Sequence, residues 1–183
     1  MNKTTFNAKD IAIAALLTAL AILIPMLMPF KIVLEPIFSA TFASHVPGIL
    51  AMFVGPFAVI GTAIGSAVGF IFCGLGPWVA ARAFLHMVFG LIGYQLIKKK
   101  YNIFLVVLAT GLIHAASEML VGLISLPFVV TPARGALFYI VVSIGCGTFI
   151  HHCIDFAVSL VILGALKSAR LISGTVNYKS LKQ

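Results

Sequence analysis

Eight ionisable side chains stand within or beside long apolar runs: His45, Arg82, His86, His114, Glu118, His151, His152 and Asp155. Such groups are rare at membrane depth, where they face a bundle interior or a wet cavity. In PWVAARAFLHMVFG (residues 77–90), Arg82 and His86 are four residues apart, as are His114 and Glu118 further on. That spacing puts each pair on one helix face. A guanidinium is a planar fork of donors that suits a carboxylate. One reading is therefore a pocket for a small organic anion, walled by Phe, Met, Trp78 and small residues. The other is an Arg82–Glu118 ion pair that only joins two helices, with the histidines satisfied by backbone carbonyls. The sequence leaves both open.

The run His151-His152-x-x-Asp155 suggests metal ligands by residue type. Adjacent histidines on a helix point about 100° apart, so one metal does not easily take both. Interhelical hydrogen bonds account better for these three. Cys73, Cys146 and Cys153 lack the paired CxxC spacing of zinc sites and read as small packing residues. With four acidic residues in the chain, no nucleophile–base or paired-carboxylate arrangement stands out. There is no phosphate-cradling glycine loop either. The expectation is a chain that is no enzyme, holds no cofactor or metal, and hydrolyses no ATP itself. Energy for active transport would come from a partner.

What positions these residues follows from hydropathy. The 183 residues are 62% hydrophobic and 9% charged, with a mean hydropathy of +1.18. A soluble domain is about a quarter charged. The reading is an all-α membrane protein, a single integral membrane domain built as a six-transmembrane-helix bundle. The first apolar run, 11–30, is too long for a signal-peptide core and ends without a small-residue cleavage site. Helices are expected at about 9–30, 44–54, 57–73, 78–97, 102–124 and 136–166, with a polar tail at 167–183. Gly55-Pro56 divides the second from the third. Helix 2 is short, and Gly145-Cys146-Gly147 marks a kink or tilt in helix 6.

Lys3, Lys9, Lys98, Lys99, Lys100, Lys167, Arg170, Lys179 and Lys182 fall on one face of a six-span chain, against Lys31 and Arg134 on the other. Both termini are therefore expected in the cytoplasm of a multi-pass cell-membrane protein. The formal charge of +8 is a topology signal and an attraction to anionic lipid of the bilayer, not a sign of nucleic-acid binding. On this topology Arg82, His86, His114, Glu118 and His45 crowd the outer half of the membrane. His151, His152 and Asp155 lie deeper, toward the cytoplasmic half.

On helix 1, Ala8, Ala12, Ala15 and Ala19 share a face that would let another helix approach closely, from a partner or from the same chain. Together with the six-helix size, this AxxxA pattern and the stretches MPFKIVLEP, FASHVPGILAMFVGP and RAFLHMVFG resemble the S-components of energy-coupling factor (ECF) vitamin transporters, most of all the niacin-specific members. The resemblance covers nearly the whole chain. It implies vitamin capture from outside, helix 1 docking on a transmembrane coupling subunit that rests on two ATPases, and toppling of the S-component to release the vitamin inside.

Niacin is expected first and pantothenate second, since both are small carboxylates. Niacin adds a ring for Trp78 or Phe to stack on, whereas pantothenate needs more polar partners, such as Thr41, Ser44, His45 and Thr131. The competing classes are an intramembrane metal or haem protein using pairs among His86, His114, His151 and His152, and a structural anchor subunit. Mass spectrometry of small molecules and metals released from the purified chain separates the three. The expected outcome is a vitamin, with no metal and no haem.

Overall fold

A computed structural model describes residues 8–34, 38–130 and 134–169. Lys3, Thr131, Arg170 and the rest of the expected polar tail lie outside the described residues. The described elements are mostly helical. α1 spans Ala8–Leu27, and β1 (Lys31–Leu34) pairs antiparallel with β2 (Phe38–Thr41). α2 (Val46–Ala51), α3 (Pro56–Phe72), α4 (Pro77–Phe84), α5 (His86–Lys98) and α6 (Ile103–Ser125) follow. The last long helix, α7, runs Ala136–Ser168. Four helical stretches are long and apolar enough to cross a membrane: Ala8–Leu27, Pro77–Lys98, Ile103–Phe128 and Ala136–Ser168. α3, at 17 residues, is shorter.

The α1–α3 contact sets the directions of the chain. Both helices run the same way: Gly61 faces Thr18, Gly65 faces Thr18 and Ile22, and Gly69 faces Ile22. Further along, the Cys73 thiol donates to the Pro25 carbonyl at 2.8 Å. The three glycines let the backbones touch, since a Cβ on Gly69 would stand 2.5 Å from the Ile22 carbonyl oxygen. This is the small-residue packing of membrane helices. Two parallel helices in succession require the chain between them to return through the bundle, and residues 38–54 make that return.

The return departs from the expected helix over 44–54. It consists of β2, a turn, and only six helical residues, Val46–Ala51. The helix is about 9 Å long, so it cannot cross a bilayer core of about 30 Å alone. Pro47 sits in its first turn, where proline is tolerated, while the turn before it is irregular. At Ala43 the backbone enters the left-handed region, φ 63°, a conformation that costs a non-glycine residue about 1–2 kcal/mol. Irregular backbone at this depth must be wrapped in protein. Thr41, Ser44, His45 and Val46 are all buried.

Two breaks adjust the remaining helices. The expected helix over 78–97 is divided at Leu85, so that His86 begins α5. Within α7, Tyr139–Cys146 forms wider π-type turns, a feature concentrated at functional sites. α6 runs antiparallel to α4–α5 and to α7. Gly93 meets Thr110 while Arg82 meets Glu118; Gly111 meets Phe149, and Gly145 meets Met119. The largest apolar cluster joins Ile49, Met52 and Phe53 to Phe89, Ile97, Val106, Phe156 and Leu163. It lies on the α2 side of the polar residues and fixes their floor.

Substituting Gly69 by valine would force α1 and α3 apart. The expected loss is about 1–3 kcal/mol, typical of overpacking. Thermal unfolding in detergent checks it, with Gly164→Val, where a Cβ meets nothing within 4 Å, as the control expected to unfold near the parent temperature.

Candidate functional site

Glu118 is the centre of a buried polar core. From α6 it meets side chains of α4, α5 and α7 as well as its own helix. Arg82 pairs with Glu118 through Nη2, and its Nε donates to Oε2 at 3.2 Å. The Thr148 hydroxyl of α7 donates to the same oxygen at 2.5 Å. Oε1 faces two imidazoles, with His114 Nε2 at 3.2 Å and His86 Nε2 at 3.5 Å. The arginine–glutamate pair weighed in the sequence analysis is present. It does not stand alone, because the histidines meet the carboxylate rather than backbone carbonyls.

His45 completes the group from the turn before α2. Its ring lies 4.6 Å from His86 and 4.6 Å from His114, while His86 and His114 are 4.9 Å apart. The planes meet at 78°, 86° and 86°. All five expected residues are thus brought together and buried. Trp78 is not among them. It is half-buried and stacks on Phe128 at 5.5 Å, packed beside Phe38, Tyr139 and Ile140.

His151, His152 and Asp155 belong to the same core, which corrects their expected separation from it. The correction has a backbone cause: the irregular turn before the short α2 is buried inside the bundle, and its amides need an acceptor. Asp155 supplies it, accepting from the Ala43 amide at 2.9 Å and the His45 amide at 3.0 Å. His151 Nε2 stands 3.0 Å from the Thr41 carbonyl and 3.2 Å from Asp155. His45 Nδ1 touches Asp155 at 3.2 Å without hydrogen-bond alignment. His152 turns the other way, to Thr110 at 3.0 Å and His114 at 3.2 Å. The adjacent histidines therefore diverge, and interhelical hydrogen bonds take up both.

Outside this core lies an open cleft of about 790 Å³ between the β1–β2 hairpin and α7. Lys31 and Arg134 contribute cations to it, Phe30, Phe38, Phe42 and Phe138 its aromatic wall, and His151 a polar group. Phe38 separates cleft from core, since the Arg82 guanidinium lies 5.3 Å from its ring. Phe38 rests on Gly147, where a Cβ would stand 2.8 Å from the ring. The Tyr139 hydroxyl clamps both strands, donating to the Leu34 carbonyl at 2.6 Å and accepting from the Phe38 amide at 2.7 Å. Sequence reasoning missed the hairpin, Tyr139 and Thr148. The signal for the hairpin was present in the β-branched stretch Lys31–Leu34 and in Phe38–Thr41; Thr148 carried none.

The helices and the enclosed charges define an integral membrane protein of helical type, built around a polar site. Its kinship is specific. The chain is 36% identical over 174 residues to the niacin transporter NiaX of Lactococcus lactis subsp. cremoris, covering 89% of this chain and 77% of that protein. No family model and no solved structure matches the chain. The chain belongs to the family of this niacin transporter, the S-components that its motifs resemble. These are transport proteins, not enzymes.

Removing one partner of the buried pair by Arg82→Ala leaves Glu118 uncompensated, with an expected loss of about 3–5 kcal/mol. In the double variant Arg82→Met/Glu118→Leu, most of that loss should return. Unfolding of the three proteins in detergent measures the difference.

Proposed function

We propose that this chain is the niacin-capturing S-component of an ECF-type importer. It takes the vitamin from outside and delivers it across the cell membrane with an ATP-driven coupling module. The observation that carries this reading is the match to a niacin transporter along most of both chains. Pantothenate is the second substrate to test.

The vitamin's entrance in this reading is the cleft between the hairpin and α7. Its carboxylate is met by Lys31 and Arg134, and its ring by the phenylalanines. The hairpin is the lid, and Phe38 and His151 are the floor. Arg82, His86, His45, Glu118 and His114 form the polar bed beneath that floor, which the vitamin reaches when Phe38 moves aside. Two small cavities of about 10 Å³ each, bordered by Ser44, His45 and His86, support this. The Ser39, Ser44 and Ser66 hydroxyls that border one or other of them have no hydrogen-bond partner. Trp78 has no role in this arrangement.

The topology that goes with it has six crossings: α1, the return through residues 38–54, α3, α4–α5, α6 and α7. Both ends of the chain are then cytoplasmic. Supporting this are the parallel α1–α3 contact and the positions of the lysines. Lys9, Lys98, Lys99, Lys100 and Lys167 belong to one end of such a bundle, and Lys31 and Arg134 to the other. The alanine face of α1 suits the coupling subunit, because Ala8, Ala12, Ala15 and Ala19 are exposed while Ala14, Leu17 and Ala21 are buried. Among the described residues, that exposure favours a partner over an own-chain neighbour for these four alanines.

Equilibrium dialysis with labelled vitamins tests the assignment. The purified chain should prefer niacin over pantothenate. The Lys31→Ala/Arg134→Ala variant should lose at least about tenfold in niacin affinity, or about 1.4 kcal/mol. A preference for pantothenate would reverse the substrate order, and unchanged affinity in the variant would remove the cleft cations from the site.

A further inference from the structure

The contacts of His114 fix which of its nitrogens carries hydrogen. The Thr110 hydroxyl lies 2.6 Å from the Val106 carbonyl oxygen, and an oxygen–oxygen contact that short carries the proton. Thr110 therefore accepts from His152 Nε2, 3.0 Å away. That leaves His152 Nδ1 bare, so it accepts from His114 Nδ1, 3.2 Å away. His114 Nε2 is then the bare nitrogen of a neutral ring. It faces a carboxylate oxygen, Glu118 Oε1, at 3.2 Å. Two lone pairs at that distance repel unless a proton or a metal cation lies between them.

The surroundings have the form of a metal site. His45, His86, His114 and Glu118 each offer one donor atom, and the four atoms all lie within 4.8 Å of one another. A tetrahedral zinc with bonds of about 2.1 Å separates its ligands by about 3.4 Å. The Glu118 distances to His114 and His86, 3.2 and 3.5 Å, match that edge. The outer partners are those that orient metal ligands: His152 holds the far nitrogen of His114, while Arg82 and Thr148 hold the far oxygen of Glu118. Among the described residues the buried charged side chains are Arg82, Glu118 and Asp155. Arg82 is the one permanent cation among them, so the two carboxylates are otherwise met by histidines, which can bind a proton or a metal ion.

We infer that His45, His86, His114 and Glu118 bind a divalent transition-metal ion of the zinc class, through three imidazole nitrogens and one carboxylate oxygen. This goes beyond the transport reading and does not rest on it. Three nitrogens and one oxygen without thiolate favour zinc(II) or cobalt(II) over magnesium or calcium. A metal here would also tie the turn before α2 to α5 and α6 through side-chain ligands.

The test uses the full-length chain in detergent, stripped with a chelator and titrated with cobalt(II), with bound metal counted by mass spectrometry. One cobalt per chain is expected, with the intense visible bands of tetrahedral coordination, and zinc should displace it. His86→Gln should abolish those bands. Thr110→Val, which frees His152 and through it His114, should weaken metal binding by about 10–100-fold. Circular dichroism of each variant separates loss of metal from loss of fold, and the unmodified chain alone already decides the question. No cobalt uptake by that chain, or uptake with a weak octahedral spectrum indifferent to His86→Gln, would overturn the inference.

Discussion

A carboxylate buried in a membrane bundle has to be surrounded by donors, and Glu118 is the place where this protein meets that requirement. Arg82 from α4, His86 from α5, His114 from α6 and Thr148 from α7 converge on its two oxygens. Each helix in that set is long and apolar on its outside, so lipid gives it no preferred rotation about its axis. The carboxylate gives it one. Rotation of any helix by a single residue would carry its donor away and leave a charge or polar group unpaired in low dielectric, a penalty of several kcal/mol. The polar core thus fixes the register of the bundle, and the apolar clusters fill in around it.

The second carboxylate solves a backbone problem. The return between α1 and α3 is mostly non-helical at its β2 end, and it lies buried inside the bundle, where its amides need protein acceptors. Asp155 accepts two of them, and His151 reaches the carbonyl of Thr41. This accounts for a left-handed Ala43, a strained residue held by a charge-assisted hydrogen bond. It also links the hairpin to α7, because the same helix carries Tyr139, which clamps both strands, and Gly147, on which Phe38 rests. Hairpin, cleft and polar core are consequently one mechanical unit.

Arg82 shows how far residue type leads and where it stops. An intramembrane guanidinium announces an anion, and the anion in contact with it is the protein's own Glu118. The cations that border the open cleft are Lys31 and Arg134, which a topology count treats only as the minority charges of the outer face. The same residue types stand in different settings: open at the mouth of the cleft in one case, and buried against Glu118 in the core in the other.

The amino-acid sequence by itself determined that the chain is helical and made for a membrane, since hydropathy and charge depend on composition along the chain and need no partner. It determined the family too, through MPFKIVLEP, FASHVPGILAMFVGP and RAFLHMVFG. Spacing of four residues placed Arg82 with His86, and His114 with Glu118, because a single helix dictates that geometry. The glycines at 61, 65 and 69 were legible in the same way and were overlooked. Only the tertiary structure decided that Asp155 holds the turn before a six-residue helix, that His151 and His152 belong to the core around Glu118, that Trp78 does not, and that the alanine face of α1 is turned outward. Those facts join residues 38 to 112 positions apart, or choose between faces of one helix. No local period or propensity encodes such choices; they follow from which buried group each side chain must satisfy once the helices have met.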